Sequence, residues 1–154
     1  SAQYQGHADF IDMKGETDDL YTNVVNRVTR ICKLFDDRSN PDYVGVIRWT
    51  PGTFMKPHYD SSAKDGIYDL FAALLYLNDD FDGGETIFPQ YDYQSTVSTG
   101  SVLVFPVTWS YLHRGTPLTN GHAKYILGSF LQYEKQQAMN RIGDKTMGLD
   151  NTNI

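Results

Sequence analysis

Seven short segments rich in β-branched and aromatic residues follow one another between residues 43 and 133. Turn-forming residues separate them, among them Pro51-Gly52, the stretch 78–84 and Asn120-Gly121. Segments of this length and composition are typical of β-strands, and many short strands in succession are typical of a sandwich or barrel, a jelly roll included. The strands are expected at residues 43–49, 55–60, 69–77, 86–88, 101–107, 111–114 and 124–133.

One helix is expected ahead of this β region, over about residues 17–36. Thr17 can cap it, and Asp18 and Asp19 place negative charge in the first turn, where the helix dipole favours it. Apolar residues recur at helical spacing up to its end, at Leu20, Val24, Val28, Ile31 and Phe35. Residues 1–16 show no clear periodicity, and the tail 135–154 is polar. The sequence therefore predicts a single domain over residues 1–154.

Composition excludes several classes of protein. The 154 residues carry a net charge of −6, which disfavours a binder of nucleic-acid phosphates. Cys32 is the only cysteine, so a disulfide framework and any multi-cysteine metal site are excluded. The longest apolar run, residues 70–77, is too short to cross a membrane. No signal peptide opens the sequence, and a cytoplasmic location is expected.

Histidine and aspartate occur twice in an H-x-D triplet. On a strand, residues i and i+2 share a face, so both side chains of a triplet can bind one metal. Two histidines and one carboxylate on one face form the ligand set of non-haem Fe(II) oxygenases. His58 and Asp60 would be completed by His113, whereas the rival set of His7 and Asp9 with His58 lacks a strand pattern before residue 10. These residues alone leave open that they are ordinary polar groups at strand ends.

From residue 43 to about residue 133 the chain resembles the 2-oxoglutarate- and Fe(II)-dependent dioxygenases, specifically the prolyl 4-hydroxylase branch. The order and spacing of several short motifs together carry this resemblance. They are Arg48-Trp49-x-x-Gly52, His58-x-Asp60, Leu74-Leu75-Tyr76-Leu77-Asn78, Gly83-Gly84-Glu85-Thr86-x-Phe88-Pro89, Gly100-x-x-Leu103-x-Phe105, His113-x-Gly115 and Lys124-Tyr125-Ile126-Leu127. The resemblance implies a double-stranded β-helix, or jelly roll, with the N-terminal helix packed on its major sheet.

The resemblance also implies cofactors and their ligands. Fe(II) would be held by His58, Asp60 and His113, with 2-oxoglutarate as cosubstrate, O2 as oxidant and ascorbate as reductant. Lys124 would pair with the C5 carboxylate of 2-oxoglutarate, because an ammonium suits a carboxylate in a confined pocket. Tyr76 would donate to that carboxylate.

Three further features concern the same pocket. Thr86 is expected to line it. Trp49 stands where the family commonly carries Tyr and can donate only through its indole N–H. The interval from His113 to Lys124 is stretched by about one residue, with 119–122 as the expected insertion.

The expected reaction is hydroxylation of proline at C4 in a peptide or protein, with release of succinate and CO2. Trp49, Tyr68 and Trp109 are the candidate substrate contacts, and aromatic residues that can stack on proline rings include Tyr91, Tyr93 and Tyr111. No nucleic-acid or membrane partner is expected. Two alternatives stay open: a dioxygenase acting on another residue, a free amino acid or a nucleobase, and a non-catalytic jelly-roll binding module.

Overall fold

A computed structural model describes residues 4–5, 8–12, 19–37, 39–41, 44–60, 63–64 and 67–133. This part of the chain contains one helix, α1 (Asp19–Phe35), and a short 3-10 turn at Pro89–Tyr91. Its strands are β1 (Tyr4–Gln5), β2 (Ala8–Asp12), β3 (Ser39–Pro41), β4 (Gly45–Trp49), β5 (Phe54–His58), β6 (Ala63–Lys64), β7 (Ile67–Tyr68), β8 (Phe71–Tyr76), β9 (Phe81–Gly83), β10 (Thr86–Phe88), β11 (Tyr93–Gln94), β12 (Val102–Pro106), β13 (His113–Gly115), β14 (Leu118–Gly121) and β15 (Lys124–Tyr133).

Two antiparallel sheets carry the fold. The major sheet has the order β12-β8-β15-β4-β2, and β3 also pairs with β15. The minor sheet has the order β1-β5-β13-β10-β11. Most neighbouring strands in both sheets are far apart in sequence, as in a jelly roll, and residues of both sheets line one cavity between them. The expected fold class, a jelly roll with one N-terminal helix, is confirmed.

Strand β15 separates the cavity from the helix, because successive side chains point to opposite faces. Lys124, Ile126 and Phe130 line the cavity. Leu127 and Leu131 point the other way and pack in the cluster that holds the helix. Burial on both faces explains why apolar residues occur on both faces of this strand instead of alternating strictly with polar ones.

Helix α1 covers the outer face of the major sheet with one apolar stripe. Val28 and Cys32 are buried there against Ala73 of β8 and Leu131 of β15. The helix ends at Phe35, as the periodicity predicts. The hydroxyl of buried Ser39 then donates to the Asp36 carbonyl at 2.8 Å, which satisfies an acceptor at the helix end. The expected cap, Thr17, lies outside the described residues.

The prediction that no strand precedes residue 10 is wrong, because β1 and β2 both begin before it. Strand β2 runs antiparallel to β4 at the edge of the major sheet, and β1 pairs with β5 in the minor sheet. Edge strands are held by backbone pairing, so they require little of the hydrophobic periodicity that reveals a buried strand. On β2, the carboxylate of Asp9 accepts a hydrogen bond from Arg48 at 2.8 Å. Asp9 therefore pairs with a residue that does not belong to the rival metal set of His7, Asp9 and His58.

Two segments expected as turns also contain strands. Within the stretch 78–84, β9 pairs with β14, which occupies most of the expected insertion at 119–122. Gly121 has a φ of +90°, and a Cβ there would lie 2.7 Å from the Asp80 carbonyl oxygen, so close backbone approach requires glycine. The polar tail 135–154 lies outside the described residues. Of the helices described, none is long and apolar enough to span a membrane.

Candidate active site

The three predicted metal ligands meet at the strand pair β5–β13. His58 ends β5, His113 begins β13, and the two residues are direct partners in the antiparallel register. Asp60 follows two residues after His58. Its Oδ1 lies 3.4 Å from His58 Nε2 and its Oδ2 lies 3.7 Å from His113 Nε2. One potential ligand atom from each of the three residues lies within 4.8 Å of the others.

Backbone carbonyls orient both imidazoles. His58 Nδ1 lies 2.8 Å from the Lys56 carbonyl oxygen, and His113 Nδ1 lies 3.0 Å from that of Tyr111. A carbonyl oxygen only accepts, so each Nδ1 carries the hydrogen. In the neutral rings, the Nε2 lone pairs then point toward Asp60. This is the arrangement in which histidine side chains serve as metal ligands.

The two histidines differ in their electrostatics. Burial lowers the pKa of His58, but the neighbouring Asp60 carboxylate and the Lys56 carbonyl outweigh burial, and the pKa is raised overall. For His113, burial dominates and the pKa is lowered. Phe88 and Phe105 pack on the His113 ring, with centroids at 5.4 Å and 4.7 Å. These apolar neighbours favour the neutral, ligating form of His113.

The donor set fits Fe(II). Two imidazole nitrogens and one carboxylate oxygen converge on one point, and a metal held by three side chains on one face keeps coordination positions for other ligands. The site opens into a cavity of about 320 Å³. That volume is within the range of small-molecule binding pockets.

Apolar side chains make up much of the cavity wall. They come from both main sheets and from β14, and they include Ile47, Met55, Ala72, Leu74, Phe105, Leu118, Ile126 and Phe130. Lys124 lines the same cavity with a side chain that is almost fully buried, its residue being 7% exposed. A buried cation and a metal ligand set therefore share one largely apolar pocket. A low dielectric strengthens the attraction between such a cation and an anionic ligand.

Two groups of the protein partly stabilise the buried positive charge of Lys124. Its Nζ donates to the Gly84 carbonyl and lies 5.2 Å from the centre of the Tyr76 ring, within cation–π range. Burial lowers the pKa of Lys124 from 10.5 to about 8, and the negative charge of Glu85 opposes this shift. A bound carboxylate would supply the missing counter-charge.

Comparison with known proteins identifies the family. The 2OG-Fe(II) oxygenase superfamily matches residues 44–132, more than half of the chain. The chain belongs to the 2OG-Fe(II) oxygenase superfamily. The matched region begins before β4 and ends in β15, so it includes the three candidate ligands and Lys124.

Relatives of this superfamily member include prolyl hydroxylases. A protein of Acanthamoeba polyphaga mimivirus named "Putative prolyl 4-hydroxylase" is 30% identical over 124 residues, which are 68% of this chain and 51% of that protein. The chain thus spans about half the length of this curated relative.

Solved structures share the fold. The viral collagen prolyl hydroxylase of Paramecium bursaria Chlorella virus 1, in its complex with 2OG, has a TM-score of 0.67 and 20% identity, covering 86% of this chain and 81% of that one. A Pseudomonas putida prolyl-4-hydroxylase has a TM-score of 0.63 and 19% identity, covering 86% and 74%.

Tyr76 and Thr86 are held together through Ser95. Thr86 is buried and lines the cavity, as predicted. Its backbone N–H donates to Ser95 Oγ at 2.9 Å, and Tyr76 Oη lies 3.3 Å from the same oxygen. Tyr76 is buried beside Lys124, but it is not among the described residues that line the cavity. A direct bond from Tyr76 to the cosubstrate stays a prediction.

The predicted substrate contacts fall in three different places. Trp49 is buried, lines the cavity and is the register partner of Lys124. Trp109 is 82% exposed and does not line the cavity in the described structure. Tyr68 ends β7, where only the backbone is described. Contacts of all three with substrate stay predictions.

Sequence reasoning missed two features of the site. Tyr59 lies between the ligands His58 and Asp60, lines the cavity and is exposed. Strand alternation would place Tyr59 on the face opposite both ligands, and it reaches the cavity because β5 ends at His58, which no local pattern in the sequence reveals. The second is Glu85, whose carboxylate accepts a hydrogen bond from the hydroxyl of Thr116, a residue that lines the cavity.

Proposed function

We propose that the protein is a 2-oxoglutarate- and Fe(II)-dependent dioxygenase that hydroxylates proline at C4 in a peptide or protein, releases succinate and CO2, and uses ascorbate as reductant. The observation that carries this proposal is the pairing of His58, Asp60 and His113 with buried Lys124 in one cavity. The cavity would offer an anionic cosubstrate two anchors, a metal held by these three residues and the ammonium of Lys124. Relatives named as prolyl hydroxylases support proline as the residue modified.

Each part of the cavity has a separate task. His58, Asp60 and His113 would hold Fe(II), which with 2-oxoglutarate and O2 supplies the oxidation of an unactivated C–H bond. Lys124 binds the C5 carboxylate and so fixes the orientation of the cosubstrate. The apolar walls exclude water, which strengthens that ion pair and limits side reactions.

Two alternatives have less support. A non-catalytic binding module has no need of a complete metal set, yet all three donors converge and both imidazoles are oriented for ligation. A nucleobase within a nucleic acid is disfavoured as substrate by the net charge of −6, because the backbone phosphates of the nucleic acid would be repelled. A dioxygenase that modifies another amino-acid residue is the main competing function.

A peptide panel tests the proposal. The protein is incubated with Fe(II), 2-oxoglutarate, ascorbate and proline-containing peptides, and products are read by mass spectrometry with succinate measured in parallel. One oxygen atom should be added to proline with matched succinate release, and a peptide with alanine in place of that proline should show no shift. Oxygen found only on lysine, asparagine or a free amino acid would refute the prolyl assignment but leave the dioxygenase assignment standing.

A further inference from the structure

Glu85 lies beside the cavity, between two residues that line it. Its chain neighbours Gly84 and Thr86 both belong to the cavity wall. Glu85 itself is half-buried and is not among the described residues that line the cavity. Its carboxylate therefore stands next to the space that a ligand would fill and does not occupy it.

The side chain of Thr116 fixes the position of this carboxylate. The Thr116 hydroxyl donates to Glu85 Oε2 and accepts from the Glu85 backbone N–H at 2.9 Å. The Thr116 N–H also donates to the Glu85 carbonyl at 2.9 Å. A hydroxyl carries a single hydrogen. Although Thr116 lines the cavity, its hydroxyl hydrogen is thus committed to Glu85 and is not available to a ligand.

The negative charge of Glu85 acts on the ammonium of Lys124. Burial lowers the pKa of Lys124, and attraction to Glu85 opposes this shift. Each of the two charged groups has its own hydrogen-bond partner. The carboxylate accepts from the Thr116 hydroxyl, and the ammonium donates to the carbonyl of Gly84. An ammonium has three hydrogens, so two remain for a ligand in the cavity.

The other titratable groups around the cavity are placed differently. Tyr76 of β8 presents its ring to the ammonium, with Nζ 5.2 Å from the ring centre. The remaining titratable groups among the described lining residues are Tyr59 and the predicted metal ligands His58, Asp60 and His113. Within the described part of the chain, the charge that opposes the effect of burial on Lys124 is that of Glu85.

We propose that Glu85 is a positioning residue that keeps Lys124 charged in the empty cavity and leaves the ammonium free to pair with the C5 carboxylate of 2-oxoglutarate. The inference rests on the proposed function. A nearby carboxylate favours the charged form of a lysine. The same carboxylate repels an anionic cosubstrate, so it aids binding only at pH values where Lys124 would otherwise lose its proton. Glu85 therefore extends cosubstrate binding to higher pH.

The titration of Lys124 in the protein without metal or cosubstrate tests this role. The lysine ε carbons are labelled with 13C for NMR, and the Lys124 signal is the one missing from Lys124→Arg. Glu85→Gln keeps the side-chain shape and an acceptor for the Thr116 hydroxyl, and its Lys124 midpoint should fall below that of the unaltered protein. Asp82→Asn is the matched control, because it removes one negative charge from an exposed residue of β9 outside the cavity. It should leave the midpoint unchanged. An unchanged midpoint in Glu85→Gln, or an equal fall in Asp82→Asn, would overturn the proposal.

Cosubstrate binding gives a second measurement. The Kd for 2-oxoglutarate is measured by anaerobic calorimetry with Fe(II) present at pH 6.5 and pH 9. Glu85→Gln should bind as well as the unaltered protein at pH 6.5 and about threefold or more weakly at pH 9. In a Lys124→Arg background the same substitution should not weaken binding at either pH, because the guanidinium stays charged. An equal loss at both pH values, or a loss that persists in this background, would indicate a merely structural role and refute the proposal. If no form of the protein binds 2-oxoglutarate, the proposed function fails, and the NMR titration still decides whether Glu85 keeps Lys124 charged.

Discussion

The Nζ atom of Lys124 donates a hydrogen bond to the carbonyl oxygen of Gly84, a residue 40 positions earlier in the chain, at 2.5 Å. Gly84 has a φ of +73°, in the left-handed region that favours glycine. A Cβ at this position would lie 3.2 Å from Lys124 Cδ and 3.2 Å from Leu118 Cδ1. Glycine therefore allows a backbone carbonyl to hold the ammonium at the cavity wall.

Gly84→Ala is expected to displace Lys124. The added Cβ meets the lysine side chain, so the KM for 2-oxoglutarate should rise severalfold, and the left-handed backbone should cost about 1–2 kcal/mol of stability. Gly100→Ala is the matched control, because Gly100 has a φ of +83° and an added Cβ there would have nothing within 4 Å. It should lose stability by a similar amount and keep its KM. Equal KM changes in both variants would contradict the role of Gly84.

Lys124→Met is expected to weaken cosubstrate binding selectively. Loss of the buried cation leaves the C5 carboxylate unpaired, at a cost of about 2–5 kcal/mol of binding free energy. The Kd for 2-oxoglutarate, measured by anaerobic calorimetry, should therefore rise by more than about tenfold. The Kd for Fe(II) should change little, because Lys124 is not a metal ligand. Equal weakening of both, or unchanged 2-oxoglutarate affinity, would place the carboxylate elsewhere.

Cosubstrate binding should weaken as pH rises above 8. The pKa of Lys124 is about 8 in the free protein, so above that pH the neutral amine must take up a proton to pair with the carboxylate. The Kd for 2-oxoglutarate is expected to rise by up to about tenfold per pH unit there. In Lys124→Arg the guanidinium stays charged, and the same titration should be flat in this range. A parallel pH dependence in both proteins would assign the effect to another group.

Rising pH should weaken cosubstrate binding through Lys124 but increase the contribution of the same lysine to the stability of the fold. Its pKa is lowered from 10.5 to about 8 by folding, so between these values the unfolded chain binds more protons than the folded one. The contribution of Lys124 to the free energy of unfolding therefore rises with pH across this window. Denaturant titrations at several pH values should show a smaller rise in Lys124→Met than in the unaltered protein. Identical slopes of unfolding free energy against pH in the two proteins would mean that folding does not lower the pKa of Lys124.

His113→Ala should abolish metal-dependent turnover. It removes one of three ligands, and the loss of metal affinity should exceed about 100-fold, since changes to groups that only support a ligand already cost about 10–100-fold. Metal content and 2-oxoglutarate turnover are the measurements. His122→Ala is the control, because His122 is 80% exposed in its side chain and pairs with Asp80 away from the cavity. Retention of metal and activity in His113→Ala would refute the ligand assignment.

Much of this protein could be predicted from local patterns. The spacing of apolar residues predicts α1 up to Phe35, and the alternation along β15 predicts that Lys124, Ile126 and Phe130 share the face that lines the cavity. The H-x-D triplet at His58 predicts two ligands close together, and the structure brings His58 and Asp60 together although β5 ends at His58 and Asp60 follows the strand. Such features depend on neighbours in the chain, so sequence by itself determined them.

Other features depend on pairs of residues that meet only after folding. The edge strand β2 is held by backbone bonds to β4, and such bonds leave little pattern in side chains. The contact of Lys124 with the Gly84 carbonyl, and the packing of Tyr111 against Phe88 and Tyr91, join segments that lie far apart in the chain. Only the tertiary structure decided these contacts, because strand register across the two sheets sets which distant groups come within bonding distance.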